Sequence, residues 1–376
     1  MQSTIAATLP IPKGRVTFDA DDGFYAELKR RVREELQATG GRAVGGARMY
    51  LKTAIILSWL GASYGLLTFS HAAWWQAALL AISLALAVAG TGFSIQHDAN
   101  HGAYSSNAVI NRIMGSALDL LGASSYMWHW KHNIFHHTFT NIEGADHDLN
   151  AKPFGRLAPD QARYDAHRFQ HIYLWGLYGF MLPKWQLVDD FQNVIEGRIE
   201  DHRFPRPRGW DLVQMLVGKA VFFGWALVVP VFFHPWRIVL GFYGVTAFLV
   251  GVLLAVVFQL AHCIEEADFP SLAAGESRIA DGWAKHQVRT TVDFARSNRL
   301  LTWYLGGLNY QVEHHLFPKL SHLNYPRISH VVEEVCAQYG VPYVAHDGVG
   351  EALASHWRWL RRLGRSTAAT ATMPAV

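Results

Sequence analysis

Between Trp130 and His137 the chain reads Trp-Lys-His-Asn-Ile-Phe-His-His, which brings His132, His136 and His137 into one short run. Upstream, His97-Asp-Ala-Asn-His101 repeats the i, i+4 pair. Downstream, Gln311-Val-Glu-His314-His315 spaces a glutamine and two histidines at i, i+3 and i+4. Imidazole suits iron, zinc, copper and nickel, and these clusters hold no cysteine and few carboxylates at ligand spacing, so the implied site is nitrogen-rich. A tetrahedral zinc takes four ligands and a catalytic one takes three plus water. Seven histidines are too many for one ion and point to two. On an α-helix, at 100° per residue, His132 and His136 stack on one face while His137 turns off to the side. A lone histidine is usually satisfied core or solvated surface, but that explanation would have to hold separately for three clusters.

The elements that position these clusters are apolar. The 376-residue chain is 51% hydrophobic and 13% aromatic, and its 17% charged content lies below the roughly 25% usual in soluble domains. A net charge of +3 implies no basic nucleic-acid surface, and the Lys and Arg residues are better read as topology signals. Cys263 and Cys336 are the two cysteines, which gives no disulfide framework and fits a reducing cytosolic face. The first 50 residues hold no apolar core of signal-peptide length, so an internal span is expected to direct insertion.

Apolar runs at about 53–69, 75–92, 212–233 and 238–261 each approach the roughly 20 residues that cross a bilayer. Short connections around Ser70–Trp74 and at His234-Pro235-Trp236-Arg237 pair them into two hairpins. The expected fold is therefore an all-α integral membrane protein with four transmembrane helices in two hairpins and a cytoplasmic helical cap holding a histidine-rich dimetal site. Residues 1–51 form a polar leader with a helix over Asp21–Gln37, residues 52–262 the hairpins with an insert at 97–210, and residues 263–365 the cap, with a helix over Tyr325–Tyr339. The tail, 366–376, is expected to be disordered. The leader carries many Lys and Arg and the connections hold only Arg237, so both termini are expected in the cytoplasm. Parity then puts all three clusters on that side. Two weaker apolar stretches, 113–127 and 172–182, are expected to lie against the membrane rather than cross it, the first because it contains Asp119 and the second because it is short.

These residues resemble the membrane fatty acid desaturases, whose histidine boxes read His-x-x-x-His, His-x-x-x-His-His and His/Gln-x-x-His-His. The boxes stand here as His97 to His101, His132 to His137 and Gln311 to His315, the last within Asn309-Tyr-Gln-Val-Glu-His-His-Leu-Phe-Pro318. Gln311 in the third box is more similar to front-end and related bacterial acyl desaturases than to the stearoyl-CoA type. The resemblance covers the chain from the first span to the helix after Pro326. It implies two non-haem iron ions, dioxygen as co-substrate and removal of two hydrogens from neighbouring acyl carbons, chemistry that redox-inert zinc cannot supply. It also implies an eighth ligand at the cytoplasmic end of the fourth span, where His262 stands, although Phe258 occupies the place of an asparagine four residues earlier in the stearoyl-CoA type. The expected ligands are thus His97, His101, His132, His136, His137, His262, His314 and His315. Gln311, Asp98, Asn100 and Glu313 are candidates to orient them from behind. His147, His167, His171 and His286 fall outside the patterns.

The resemblance implies a lipid acyl substrate, carried on CoA or on a lipid, and a membrane location: the cytoplasmic membrane in a bacterium, the endoplasmic reticulum in a eukaryote. The sequence has no His-Pro-Gly-Gly motif of cytochrome b5. Electrons are therefore expected from a separate ferredoxin-like or cytochrome b5-like donor with its reductase, docking on Lys29–Arg33 and on Arg358, Arg361 and Arg362. Two rivals remain at this stage: a di-iron hydroxylase of an acyl chain, alkane, sterol or carotenoid, and a zinc-dependent membrane hydrolase or metal transporter. Transport is disfavoured because the apolar runs lack the carboxylates or histidines that mark an ion path.

Overall fold

A computed structural model describes residues 16–272 and 277–366. The described chain is mostly helical, and four of its helices are long and apolar enough to cross a membrane: Ala47–Phe69, Trp74–Asn100, Trp210–Val231 and Trp236–His262. The first two pack along each other, and the second also packs on the fourth. The two interhelical connections touch at one end of the bundle, where His234 Nε2 donates to the Thr68 carbonyl at 2.8 Å and the Phe69 and Phe233 rings meet edge to face. The tail from residue 367 lies outside the described residues.

The first span begins six residues earlier than its apolar run suggests and takes in Arg48 and Lys52. Lys52 is tolerated there because it faces protein: it is buried, with its Nζ 2.8 Å from His322 Nε2. Lys219, on the third span, is satisfied in the same way by the Asp190 carboxylate at 2.9 Å and by the carbonyls of Gly122 and Gln186. A charge in the apolar layer is costly unless it is turned inward and paired.

The weaker apolar stretches do not make long helices. Residues 113–127 fall into Ala108–Gly115, Ala117–Leu120 and Ser125–Trp128, with Asp119 buried and bonded to Gln214. Residues 172–182 lie in Gln170–Tyr178 and Met181–Lys184. Close contact with the fourth span depends on Gly251, where a Cβ would lie 2.5 Å from the Gly179 carbonyl oxygen.

Outside the spans, the leader helix Phe24–Ala38 buries Phe24, Leu28 and Val32, one face at i, i+4 and i+8. It packs on Tyr325–Gln338, whose Ile328, Val331, Val332 and Val335 close the same core. Each such side chain contributes about 1.5–3 kcal/mol when fully buried. The last helix, Val349–Arg365, docks against Gln170–Tyr178 through the Tyr178 hydroxyl, 2.8 Å from His356 Nε2. The expectation of a purely helical chain needs one correction. Thr17–Asp19 pairs in parallel with Arg278–Gly282, Asp293–Phe294 with Ala345–His346, and Arg198–Ile199 antiparallel with His202–Arg203. The two parallel pairs join segments far apart in the chain, which local sequence pattern cannot reveal.

Candidate metal centre

The three histidine clusters and His262 converge. His97 and His101 come from the end of the second span, and His132, His136 and His137 from the stretch after Ser125–Trp128. His262 is the last residue of the fourth span, and His314 and His315 lie on the short helix Gln311–Leu316. All eight are buried. One nitrogen each from His97, His101, His132 and His314 lie within 4.8 Å of one another, as do those of His136, His262 and His315. His137 sits between the two groups, its ring 4.6 Å from that of His314 and 4.4 Å from that of His315.

His137 does not turn off to the side. Residues His129–His136 wind as a π-helix, in which i and i+5 rather than i and i+4 are linked, so His132 and His137 share a face and their Nε2 atoms stand 3.2 Å apart. His136 still stacks on His132, with ring centroids 5.3 Å apart. A second π-helical stretch, Gly92–Gln96, leads into His97.

The far side of several rings is held. His136 Nδ1 lies 3.1 Å from both oxygens of Asp146, a buried carboxylate that also accepts from the backbone N–H groups of Asn141 and Asp148. His315 Nδ1 lies 2.8 Å from Gln287 Oε1, His262 Nδ1 3.2 Å from the Thr290 carbonyl and His314 Nδ1 3.2 Å from the Tyr325 hydroxyl. A hydrogen bond on one ring nitrogen fixes the tautomer and leaves the other free to ligate. Burial pushes His132, His137, His314 and His315 well below the usual imidazole range, and neighbouring imidazoles add to the effect. These rings are neutral, the form that binds metal. His136 is the exception: burial opposes its charge, but Asp146 and Asp148 outweigh burial and push it up to about 9.

Most of these rings carry an atom with nothing to bond among the described residues: Nε2 of His97, His101, His262, His314 and His315 is buried without a hydrogen-bond partner, as is Nδ1 of His137. Buried polar atoms are otherwise almost always satisfied. A convergent set of neutral, unpartnered nitrogens is a donor set for cations, and the residues fit a metal-binding site.

Among the described residues, none of the four residues expected to orient these rings hydrogen-bonds one of them through its side chain. Asp98 accepts from the Ser321 hydroxyl and the His322 N–H, and lies 2.9 Å from His322 Nδ1. The Asn100 amide bonds Gln96 and the Gly115 carbonyl. Glu313 accepts from the Tyr343 hydroxyl at 2.9 Å. Gln311 is buried, its Oε1 unpartnered among the described residues, and it joins none of the nitrogen groups. The residues that do hold the rings, Asp146, Gln287, Thr290 and Tyr325, were not foreseen. The Asp146-His-Asp148 run just after the second cluster is the signal that could have found the first. His147 bonds Glu200, and His167 bonds the Pro153 carbonyl. His171 lies against Trp357 and His286 against Phe18. None of these four enters a nitrogen group.

A cavity of about 520 Å³ opens beside the centre, lined by His97, His132 and Trp128 and running to Leu121, Val250 and Leu254. A second, of about 330 Å³, lies among the spans against Tyr64, Trp225 and Phe242. Val88, Leu182 and Val250 border both.

Residues 72–347 match the family model described as fatty acid desaturase. The chain is 38% identical over 351 residues to a protein of Arthrospira platensis named sn-1 linoleoyl-lipid 6-desaturase, covering 93% of this chain and 95% of that one. It is 36% identical to a protein of the same name from Synechocystis sp., covering 94% and 99%. It is 35% identical to an acyl-lipid (8-3)-desaturase of Physcomitrium patens, covering 92% and 72%.

Proposed function

Given that the chain belongs to the fatty acid desaturase family and is a membrane-bound acyl desaturase, an oxidoreductase of lipid metabolism, we propose that it works through two iron ions held by its eight clustered histidines. The observation that carries this reading is the pair of buried nitrogen groups with unpartnered inward-facing atoms beside an apolar cavity. His97, His101, His132 and His314 would hold one ion and His136, His262 and His315 the other, with His137 between the two nitrogen groups. With dioxygen and two electrons the irons supply the oxidising power to take one hydrogen from each of two adjacent methylenes, and with two protons the oxygen leaves as two waters. The chain's own residues do the rest. Asp146, Gln287, Thr290 and Tyr325 keep the imidazoles aimed inward, while Trp128, Leu121 and Leu254 hold the methylene chain beside them and exclude water.

The relatives named linoleoyl-lipid desaturases act on a lipid-bound acyl chain, and we assign a lipid-bound chain here. The four spans form two hairpins with both termini, the insert and the cap in the cytoplasm, a reading supported by the contact between the two connections and by their low Lys and Arg content. The boundaries are a leader over 1–51, hairpins with their insert over 52–262 and a cap over 263–365. Electrons come from a separate soluble donor on the cytoplasmic face.

Expression in a host with simple fatty acids, followed by lipid profiling, should give a new double bond that His136→Ala abolishes, and the purified protein should hold two irons per chain. An unchanged fatty acid profile from fully iron-loaded protein would sink the reading, as would one zinc in place of the irons.

A further inference from the structure

Among the described residues Lys131 has no counter-ion within ion-pair distance. It is 7% exposed, it follows directly on Trp130 and precedes His132 in the π-helix His129–His136, and it lines the cavity beside the nitrogen groups. The other two lysines on that cavity are neutralised: Lys184 by Asp189 at 2.7 Å and Lys152 by Glu143 at 2.5 Å. Among the described residues Lys131 makes neither a hydrogen bond nor an ion pair through its side chain. The carboxylates of Asp190, Asp189 and Asp148 act on it only through space, and each is engaged elsewhere, with Lys219, Lys184 and His136 respectively. A buried ammonium without an acceptor is costly, and an acceptor arriving with a ligand removes that cost.

We propose that Lys131 donates a hydrogen bond to the carbonyl oxygen of the substrate's acyl ester and so sets how far along the chain the metals act. This rests on the acyl-desaturase reading above. Desolvation selects the acceptor. A phosphate or free carboxylate must shed a large hydration shell to reach so buried a group, whereas a neutral carbonyl gives up little. Part of the cavity wall, formed by Leu118, Leu121, Val250 and Leu254, suits methylenes. An unpaired donor beside that wall fits a chain with one polar end. Lys131 and His132 line the same cavity, so a carbonyl held at Lys131 fixes the length of chain between it and the metals.

The test uses purified, iron-loaded protein without dioxygen. A phosphatidylcholine with a spin-labelled acyl chain is displaced by two unlabelled phosphatidylcholines of identical chains, one ester-linked and one ether-linked and hence without the carbonyl. Wild type should bind the ester about tenfold or more tightly than the ether, the scale of a hydrogen bond to a charged group. Lys131→Met should erase that preference, and Lys131→Arg should keep it. In fed cells Lys131→Met should scatter the double bond over several positions at unchanged iron content. Equal binding of ester and ether by wild type overturns the proposal and needs no variant. A loss in Lys131→Met that is equal for both lipids assigns Lys131 to the phosphate and overturns it too. Absence of any double bond with wild type would overturn the desaturase reading and this inference with it.

Discussion

Asp146 shows what a single carboxylate does for a ring it never replaces. Two backbone N–H groups fix it, and its oxygens face Nδ1 of His136. That geometry commits Nδ1 to donate and leaves Nε2 as the ligand, while the negative charge raises its basicity. Asp146→Asn keeps the shape and removes the charge, and the metal held through His136 should be lost about 10–100-fold more readily. Iron retained against a graded chelator measures this, and a variant that folds and holds iron like wild type would reduce Asp146 to packing. The contrast between ligand and support also explains what could be read from sequence. The histidines announce themselves by short spacing. Their supports lie 10, 28, 28 and 11 positions away for Asp146, Gln287, Thr290 and Tyr325, beyond any periodicity. Asp98, Asn100 and Glu313 looked like supports because they are neighbours in sequence, but in a helix adjacent side chains point apart.

The elements were legible to the extent that burial in lipid or protein shapes composition. The four apolar runs became the four long helices, and the leader helix and Tyr325–Gln338 fall within a few residues of expectation. The first span's early start was hidden because Arg48 and Lys52 look polar in sequence, and nothing local shows that Lys52 faces His322. The π-helical turns were hidden as well, since hydropathy does not distinguish i+4 from i+5 linkage. One turn carries a sharp steric demand. Gly306 has φ +61°, and a Cβ there would lie 2.3 Å from the carbonyl oxygen of Phe93, in the π-helical stretch that leads to His97. It thereby sets the segment bearing His314 and His315 against the one bearing His97 and His101. Gly306→Ala should cost about 1–3 kcal/mol from the left-handed backbone alone, with more from the contact, and should lower iron per chain. Gly61→Ala, on the first span with open space around it, is the control and should change neither. Thermal unfolding in detergent with metal analysis reads both.

The whole molecule divides into a lipid-facing belt and a charged face. Leu51, Ile55, Leu66, Leu79, Val217 and Leu240 are exposed on the long helices, more apolar surface than a soluble protein leaves uncovered, so the bilayer must cover it. On the other face, the basic groups expected to receive an electron donor are partly spoken for: Arg358 and Arg362 both pair with Glu265, Arg30 with Glu27 and Glu34, and Arg31 with Glu334. Among the described residues Arg361 makes no ion pair and lies over the Trp357 ring, so it carries the least compensated charge of the C-terminal set. Arg361→Glu should account for most of the rise in donor concentration needed for half-maximal rate that reversal of all three arginines produces. The difference should shrink above the salt at which the Debye length is about 8 Å. A donor titration at two ionic strengths checks this, and an unchanged titration returns Arg361 to a role in topology alone.

The convergence of the histidines also dictates an order of events during synthesis. Each nitrogen group includes a member of the pair His314 and His315, which the ribosome makes only after His262, the last residue of the fourth long helix. Neither group can close while helices are still entering the bilayer. A metal held by either complete group would therefore clasp a chain already inserted, tying the end of the second long helix to a segment made much later. The free energy of metal binding is then spent on joining finished parts, and iron shortage should leave an inserted, open protein rather than one that fails to reach the membrane.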